Sequence, residues 1–191
     1  MARETERLEQ EFIQNAKTLT GHSISEWMAI IRPTGLDKVN AILNWLKSEY
    51  SLKHDKANFL AQMYMNDGQP VFDRKLLFAK LFEGKEGLLP LYRALETAVR
   101  DHLPADVDLI PTKAYVSIEG KKCFASATLT RQGLRVGLDL GDRPFDGYVQ
   151  KAKSLGAMPN IGHMVEVCRP EEINDSLVEL LRQSYQQVHS K

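Results

Sequence analysis

Apolar residues recur at helical spacing through the first third of the chain, and after Pro104 they give way to runs that alternate every second residue. In the opening segment Leu8, Phe12, Ala16 and Leu19 share one helical face, among charges that suit the solvent side. Thr20-Gly21 ends that helix. Ser23, with Glu26 three residues later, has the spacing of a capping box and predicts a second helix carrying Ile24, Trp27, Met28 and Ile31, stopped by Pro33. A third predicted helix, 37–50, places Val39, Ile42, Leu43, Trp45, Leu46 and Tyr50 mostly along one stripe, and a fourth covers 55–65. The connections RPTG and SLKH are short, so these helices pack as neighbours in a small bundle whose core includes both tryptophans.

Residues 66–70 are polar and turn-prone, a hinge. A short helix over 73–82 and a longer one over 86–102, with Leu88, Leu91, Leu95 and Val99 inward, precede the change of period. Strands are predicted at 108–111, 114–118, 122–130, 134–140 and 163–168, with EGKK and RQG as hairpin turns, which makes an antiparallel meander the economical arrangement. Pro170 marks the start of a terminal helix with Glu171 and Glu172 at its positive end and Ile173, Leu177, Leu180, Leu181 and Tyr185 as its apolar stripe. The expected fold is α+β: an N-terminal all-α helical bundle followed by an antiparallel sheet with helices packed on one face. The expected division is a helical module over 1–66, a hinge and connecting helix over 67–80, and an α+β domain over 81–191.

If Val116, Ile118, Cys123, Ala125, Ala127, Leu129, Leu134, Val136, Leu138 and Leu140 face inward, strand periodicity turns the intervening residues outward. The candidate ligand-binding residues on that opposite face are Lys113, Tyr115, Ser117, Lys122, Phe124, Arg135 and Asp139, alongside Ser126 and Thr128. Cations, hydroxyls and two aromatics together could receive an anionic or planar ligand, although antiparallel sheets also commonly leave such a face simply solvated. The long loop over 141–161 places Arg143 and Phe145, then Tyr148, Lys151 and Lys153 on a possible short helix, as a binding lid or as a surface excursion.

Composition narrows the classes. The chain has 191 residues, 43% hydrophobic and 26% charged, enough for two small cores. It has no apolar run near membrane-spanning length, and the start MARETERLEQ lacks the apolar core of a signal peptide, so a soluble cytoplasmic protein without membrane partners is expected. Net charge is zero overall and in each half, which argues against strong nonspecific nucleic-acid binding. Residues 113–153 nonetheless hold eight Lys/Arg against four Asp/Glu, a local excess that keeps nucleic acid as an alternative partner. A helix-turn-helix reading of the second and third helices is disfavoured by the mixed face Asp37, Lys38, Asn44, Lys47 and Glu49.

No catalytic constellation emerges. Asp108 followed by Glu119-Gly120-Lys121 has the bare acid and acid-x-Lys pattern of a metal-dependent nuclease, but Gly120 makes the trio read as a hairpin tip. Cys123 and Cys168 fall in strand-like runs outside any ligand motif and read as buried free thiols. The five histidines are scattered singly, so neither metal nor cofactor is expected. There is no G-x-S-x-G elbow, and the glycines at 137–141 lie in a strand pattern rather than opening a helix.

The pattern TG-x-S-x-x-EW, G-L-x-K and WLK-x-E-x-x-L-x-H-x-x-AN, carried by residues from Thr20 to Asn58, resembles a bacterial family of domains of unknown function. That family often shows a second histidine two residues after the first, where this chain has Lys56, so the resemblance implies no H-x-H metal pair here. LFEGKEGLLPLYRAL, PTKAYVSI, KKCFA and the terminal helix resemble a second domain of unknown function, elsewhere attached to restriction-nuclease-like chains and in some members labelled a transport protein. The resemblances imply a two-domain protein and lend no activity. The expected function is a noncatalytic module that binds a protein or a small anionic ligand, with a nucleic-acid-binding or nucleic-acid-processing accessory protein as the alternative.

Overall fold

The capping box forms as its spacing predicts: the Glu26 N–H donates to Ser23 Oγ at 3.3 Å and the Ser23 N–H to Glu26 Oε2 at 2.6 Å. Two donors that a helix start leaves free are thereby satisfied. In this computed structural model, which describes residues 2–153 and 160–190, that helix is α2 (Ile24–Ile31), set between α1 (Ala2–Thr20) and the pair α3 (Val39–Tyr50) and α4 (His54–Tyr64). The chain forms two compact units, one of Glu4–Asp73 and the other of the described residues of Met1–Arg3 and Arg74–Lys191.

The helical unit closes around Phe12, Ala16, Trp27, Ile31, Ile42, Leu46, Leu60 and their neighbours. Trp27 is fully buried, and its indole N–H donates to Thr20 Oγ1 at 2.7 Å, the partner a buried indole requires. Trp45 sits at the margin of this core, edge-on to Tyr50. The inward stripe of α1 differs from the one expected. Leu8 and Leu19 are 41% and 43% exposed, whereas Glu9 is fully buried beside Phe12 and Ala16. Glu9 is no solvent-side charge, because its two carboxylate oxygens accept the Val71 and Phe72 N–H groups at 2.9 Å each.

The second unit contains α5 (Arg74–Phe82), α6 (Leu89–His102), α7 (Asp175–His189) and six strands. These are β1 (Asp108–Pro111), β2 (Val116–Glu119), β3 (Cys123–Leu129), β4 (Leu134–Leu138), β5 (Gln150–Lys151) and β6 (His163–Val167). They pair antiparallel throughout in the order β1-β2-β3-β4-β6-β5, a four-strand meander extended by β6 with β5 at the edge. The fold is α+β. Val116, Ile118, Ala127, Val136, Leu138 and Val165 share one core with Leu91, Leu95 and Val99 of α6 and Leu177, Leu180 and Leu181 of α7.

Three local expectations change. The edge strand β5 occupies part of the segment read as a short helix, and residues 154–159 of the expected lid lie outside the described residues. Pro170 opens a 3-10 turn, Pro170–Glu172, rather than the terminal helix. That helix starts at Asp175, where the Asn174 side chain accepts the Ser176 and Leu177 N–H groups. Cys123 is half-buried and Cys168 is exposed, so only the first fits the buried-thiol expectation even in part.

The largest departure is a β-bulge. Ala125 stands opposite Ile118 and Cys123 opposite Glu119, so Phe124 is an extra residue on β3. Such an insertion inverts the alternation on one side of itself. Phe124 therefore turns into the core, fully buried and edge-on to Tyr185 of α7 at 5.3 Å. Cys123 turns to the other face, where its Sγ lies 3.2 Å from the Ser117 hydroxyl. The buried Ser184 hydroxyl of α7 donates to the Phe124 carbonyl at 2.6 Å and accepts the Asp139 N–H at 2.9 Å, stitching the bulge to the helix.

Candidate functional site

The seven residues expected to form one open sheet face are dispersed. Phe124 belongs to the core, and Ser117 is 1% exposed, its hydroxyl donating to Glu119 Oε1 at 2.7 Å. Lys113 is exposed in the β1–β2 turn, where Thr112 Oγ1 and the half-buried Tyr115 organise the backbone. Lys122 is exposed in the β2–β3 turn, its N–H donating to His189 Nε2 at 3.2 Å. These two lysines thus lie in the turns at opposite ends of β2. Arg135 stands opposite Glu166 in the β4–β6 register and pairs with it at 2.8 Å. Asp139 follows β4, and its carboxylate accepts the Gly141 N–H at 3.2 Å.

The acidic residues of the nuclease-like pattern are committed to structural partners. Asp108 and Glu119 lie opposite each other across β1 and β2. Arg74 pairs with Asp108 at 2.7 Å, and Arg3 approaches it at 3.7 Å. The buried Glu119 carboxylate accepts the Ala2 N–H at 2.8 Å and the Arg3 N–H at 3.3 Å. Burial alone would raise its pKa, but the hydrogen bonds from Ser117 and Ala2 help hold it below the usual carboxylate value. Among the described residues no group of three or more His, Cys, Asp or Glu is placed to hold a metal ion.

A concavity lies between α5, α6 and β1. Phe78, Tyr92, Leu109 and Pro111 line it with apolar surface, and Arg74, Lys75, Arg93 and Glu96 supply its charges, around a space of about 320 Å³. Phe78, Phe82 and Tyr92 form a continuous aromatic cluster, with ring centroids 4.6 to 5.3 Å apart. The helices produce this because Phe78 and Phe82 are four residues apart, on one face of α5, and Tyr92 rises from the first turn of α6 against them. The Arg93 guanidinium lies 5.5 Å from the Phe78 centroid and 5.9 Å from that of Tyr92, within cation–π range.

The electrostatics of the groove are set by burial and by two arginines, Arg93 and Arg100. Burial pushes the Tyr92 phenol up to about 12. Burial works against the Glu96 carboxylate, but Arg93 and Arg100 outweigh it and hold Glu96 below the usual range. Lys75 is exposed and has neither a hydrogen bond nor an ion pair among the described residues. The lining therefore combines three cations, of which Arg93 is paired with Glu96 and Arg74 with Asp108, with one carboxylate over an apolar floor of mutually tilted rings. None of the residues expected to bind a ligand lines this groove. Its only trace in the sequence is an aromatic beside cations on two successive helices, Phe78 near Arg74 and Lys75, and Tyr92 next to Arg93.

Residues 78–188 match the family model described as Domain of unknown function (DUF5655), and residues 9–66 match that described as Domain of unknown function (DUF4287). The groove lies mostly within the first matched segment. Neither a curated protein nor a solved structure matched the chain.

Proposed function

The chain belongs to the DUF5655 family, whose description carries no activity, and from its own geometry we propose a noncatalytic binding module for a small anionic ligand with a planar apolar body. The observation that carries this reading is the Arg93 guanidinium held over the Phe78 and Tyr92 rings at the mouth of the groove. A flat ligand body stacks on or beside the aromatic floor, and its carboxylate or phosphate meets Arg93 and Lys75, where a planar guanidinium offers paired donors. Two free cysteines, one of them exposed, suit a reducing compartment and support a cytoplasmic location.

The test is a thermal-shift and calorimetric panel of aromatic carboxylates and nucleoside monophosphates on the whole chain. Saturable binding that weakens about tenfold in Arg93→Ala, as loss of one charge-assisted contact implies, supports the reading. Absence of any hit overturns it. The nucleic-acid alternative shares the aromatic floor and the cations, since bases stack on such rings in single-strand binders. Binding of single-stranded DNA that falls with rising salt and disappears in Arg93→Ala would replace the small-ligand reading with that one.

A further inference from the structure

The helical unit has its own concavity, larger than the groove and independent of it. It opens between the segment that follows α2 and the turn that follows α4, with a volume of about 510 Å³, inside the range of small-molecule sites. Three glycine or aspartate positions in left-handed conformation shape it: Gly35 at φ 68°, Asp67 at φ 54° and Gly68 at φ 77°. The tightest is Gly68, where a Cβ would come within 3.3 Å of Met28 Cγ, so the backbone passes close to the Met28 side chain.

The charges on this wall are the informative feature. Arg32, Asp37 and Asp67 all line the pocket, and none of their side chains makes a hydrogen bond or ion pair among the described residues. Arginine side chains elsewhere are mostly ion-paired, as Arg74 is with Asp108 and Arg135 with Glu166, which sets Arg32 apart. One cation and two carboxylates leave the pocket a net charge of minus one, beside Met28, Leu36 and Tyr64.

We infer that this pocket binds a free basic α-amino acid. Such a ligand carries one carboxylate and two cations joined by an aliphatic stem, the inverse of the pocket's charge set. The α-carboxylate meets Arg32, as a guanidinium prefers a carboxylate. The α-ammonium and the side-chain cation meet Asp37 and Asp67, while the stem lies along Met28 and Leu36 and Tyr64 offers a ring face to the cation. A polyamine would leave Arg32 unmatched. An acidic amino acid would set its side-chain carboxylate against one of the two aspartates.

The experiment is calorimetric titration of the full chain at low salt with L-arginine, with agmatine, which is arginine without its carboxylate, and with L-glutamate. Saturable binding of L-arginine is expected, with agmatine about tenfold weaker, as loss of one charge-assisted pair implies, and no binding of glutamate. Arg32→Ala abolishes the difference between arginine and agmatine. Asp37→Asn and Asp67→Asn each weaken arginine about tenfold, and asparagine at 67 keeps a residue that tolerates the left-handed backbone. Amide chemical-shift changes on the wild-type chain should centre on Gly35 and Gly68, a readout that does not depend on any variant folding. No saturable arginine binding, equal affinity for agmatine, shifts centred elsewhere, or undiminished binding in all three variants overturns the inference.

Discussion

Replacing Glu9 with glutamine changes one atom at the most buried charge of the helical unit, and the cost follows from its partners. Glu9 is fully buried, and each carboxylate oxygen accepts one backbone N–H at 2.9 Å, from Val71 and from Phe72. Glutamine keeps the shape but points an amide donor at one of those N–H groups, so one bond is lost and a buried donor is left unsatisfied. A hydrogen bond to a charged acceptor contributes about 1.5–3 kcal/mol, so Glu9→Gln should destabilise by about 2–3 kcal/mol. Glu9→Ala loses both bonds and adds a cavity, at about 4 kcal/mol. Both tryptophans of the chain, Trp27 and Trp45, lie in this unit, so indole fluorescence during urea unfolding reports on it selectively. With a slope of about 1 kcal/mol per molar urea for a small unit, the midpoint should fall by about 2 M in Glu9→Gln. Hydrogen exchange at Val71 and Phe72 should quicken in the same variant. A Glu9→Gln midpoint within about 0.5 M of the wild type would refute the claim that this carboxylate holds the segment after α4.

Three other outcomes are expected. The Tyr92 phenol is raised by burial from 10.0 to about 12, so the folded state favours its neutral form; the stability present below pH 10 is lost as pH rises toward 12, on the order of 2–3 kcal/mol. Chemical unfolding at stepped alkaline pH should show a shallower loss in Tyr92→Phe. Gly133→Ala would bring a Cβ to 2.1 Å from the Val167 carbonyl oxygen, a backbone clash that no side-chain movement relieves, so it should cost about 3 kcal/mol or more in circular-dichroism melts. Thiol titration of the native chain should label the exposed Cys168 quickly and Cys123 slowly, since burial pushes the Cys123 thiol up and reduces its thiolate; equal rates would contradict that placement.

The elements were legible where a local signal fixes them. Ser23 and Glu26 announce α2 because the capping box is a bond between residues three apart, and the β4 pattern survives, with Leu134, Val136 and Leu138 in the core, because apolar alternation is a property of each strand alone. The candidate face was not legible, because alternation assumes that no residue is added to a strand. Phe124 is such an addition, and the tertiary partners that stabilise it, Ser184 and Tyr185, lie some sixty residues away. Glu9 was hidden for a related reason: a charge in a charged helix reads as solvated until the backbone donors it serves are known. The groove needed three elements from separate stretches to meet, and no spacing in the sequence encodes that meeting.

The division of the chain has a topological consequence. Ala2 and Arg3 belong with the residues from Arg74 onward, so the polypeptide leaves that unit after its first residues and re-enters it at Arg74. The helical unit is an insertion within the other unit, and a fragment cut to begin at Arg74 keeps every strand while stripping Glu119 of two backbone donors. Exit and re-entry are marked by Arg3 and Arg74, whose guanidinium groups both reach the same Asp108 oxygen, at 3.7 and 2.7 Å. Excising 4–73 and splicing Arg3 to Arg74 through a short linker is therefore a more faithful dissection than truncating the front of the chain.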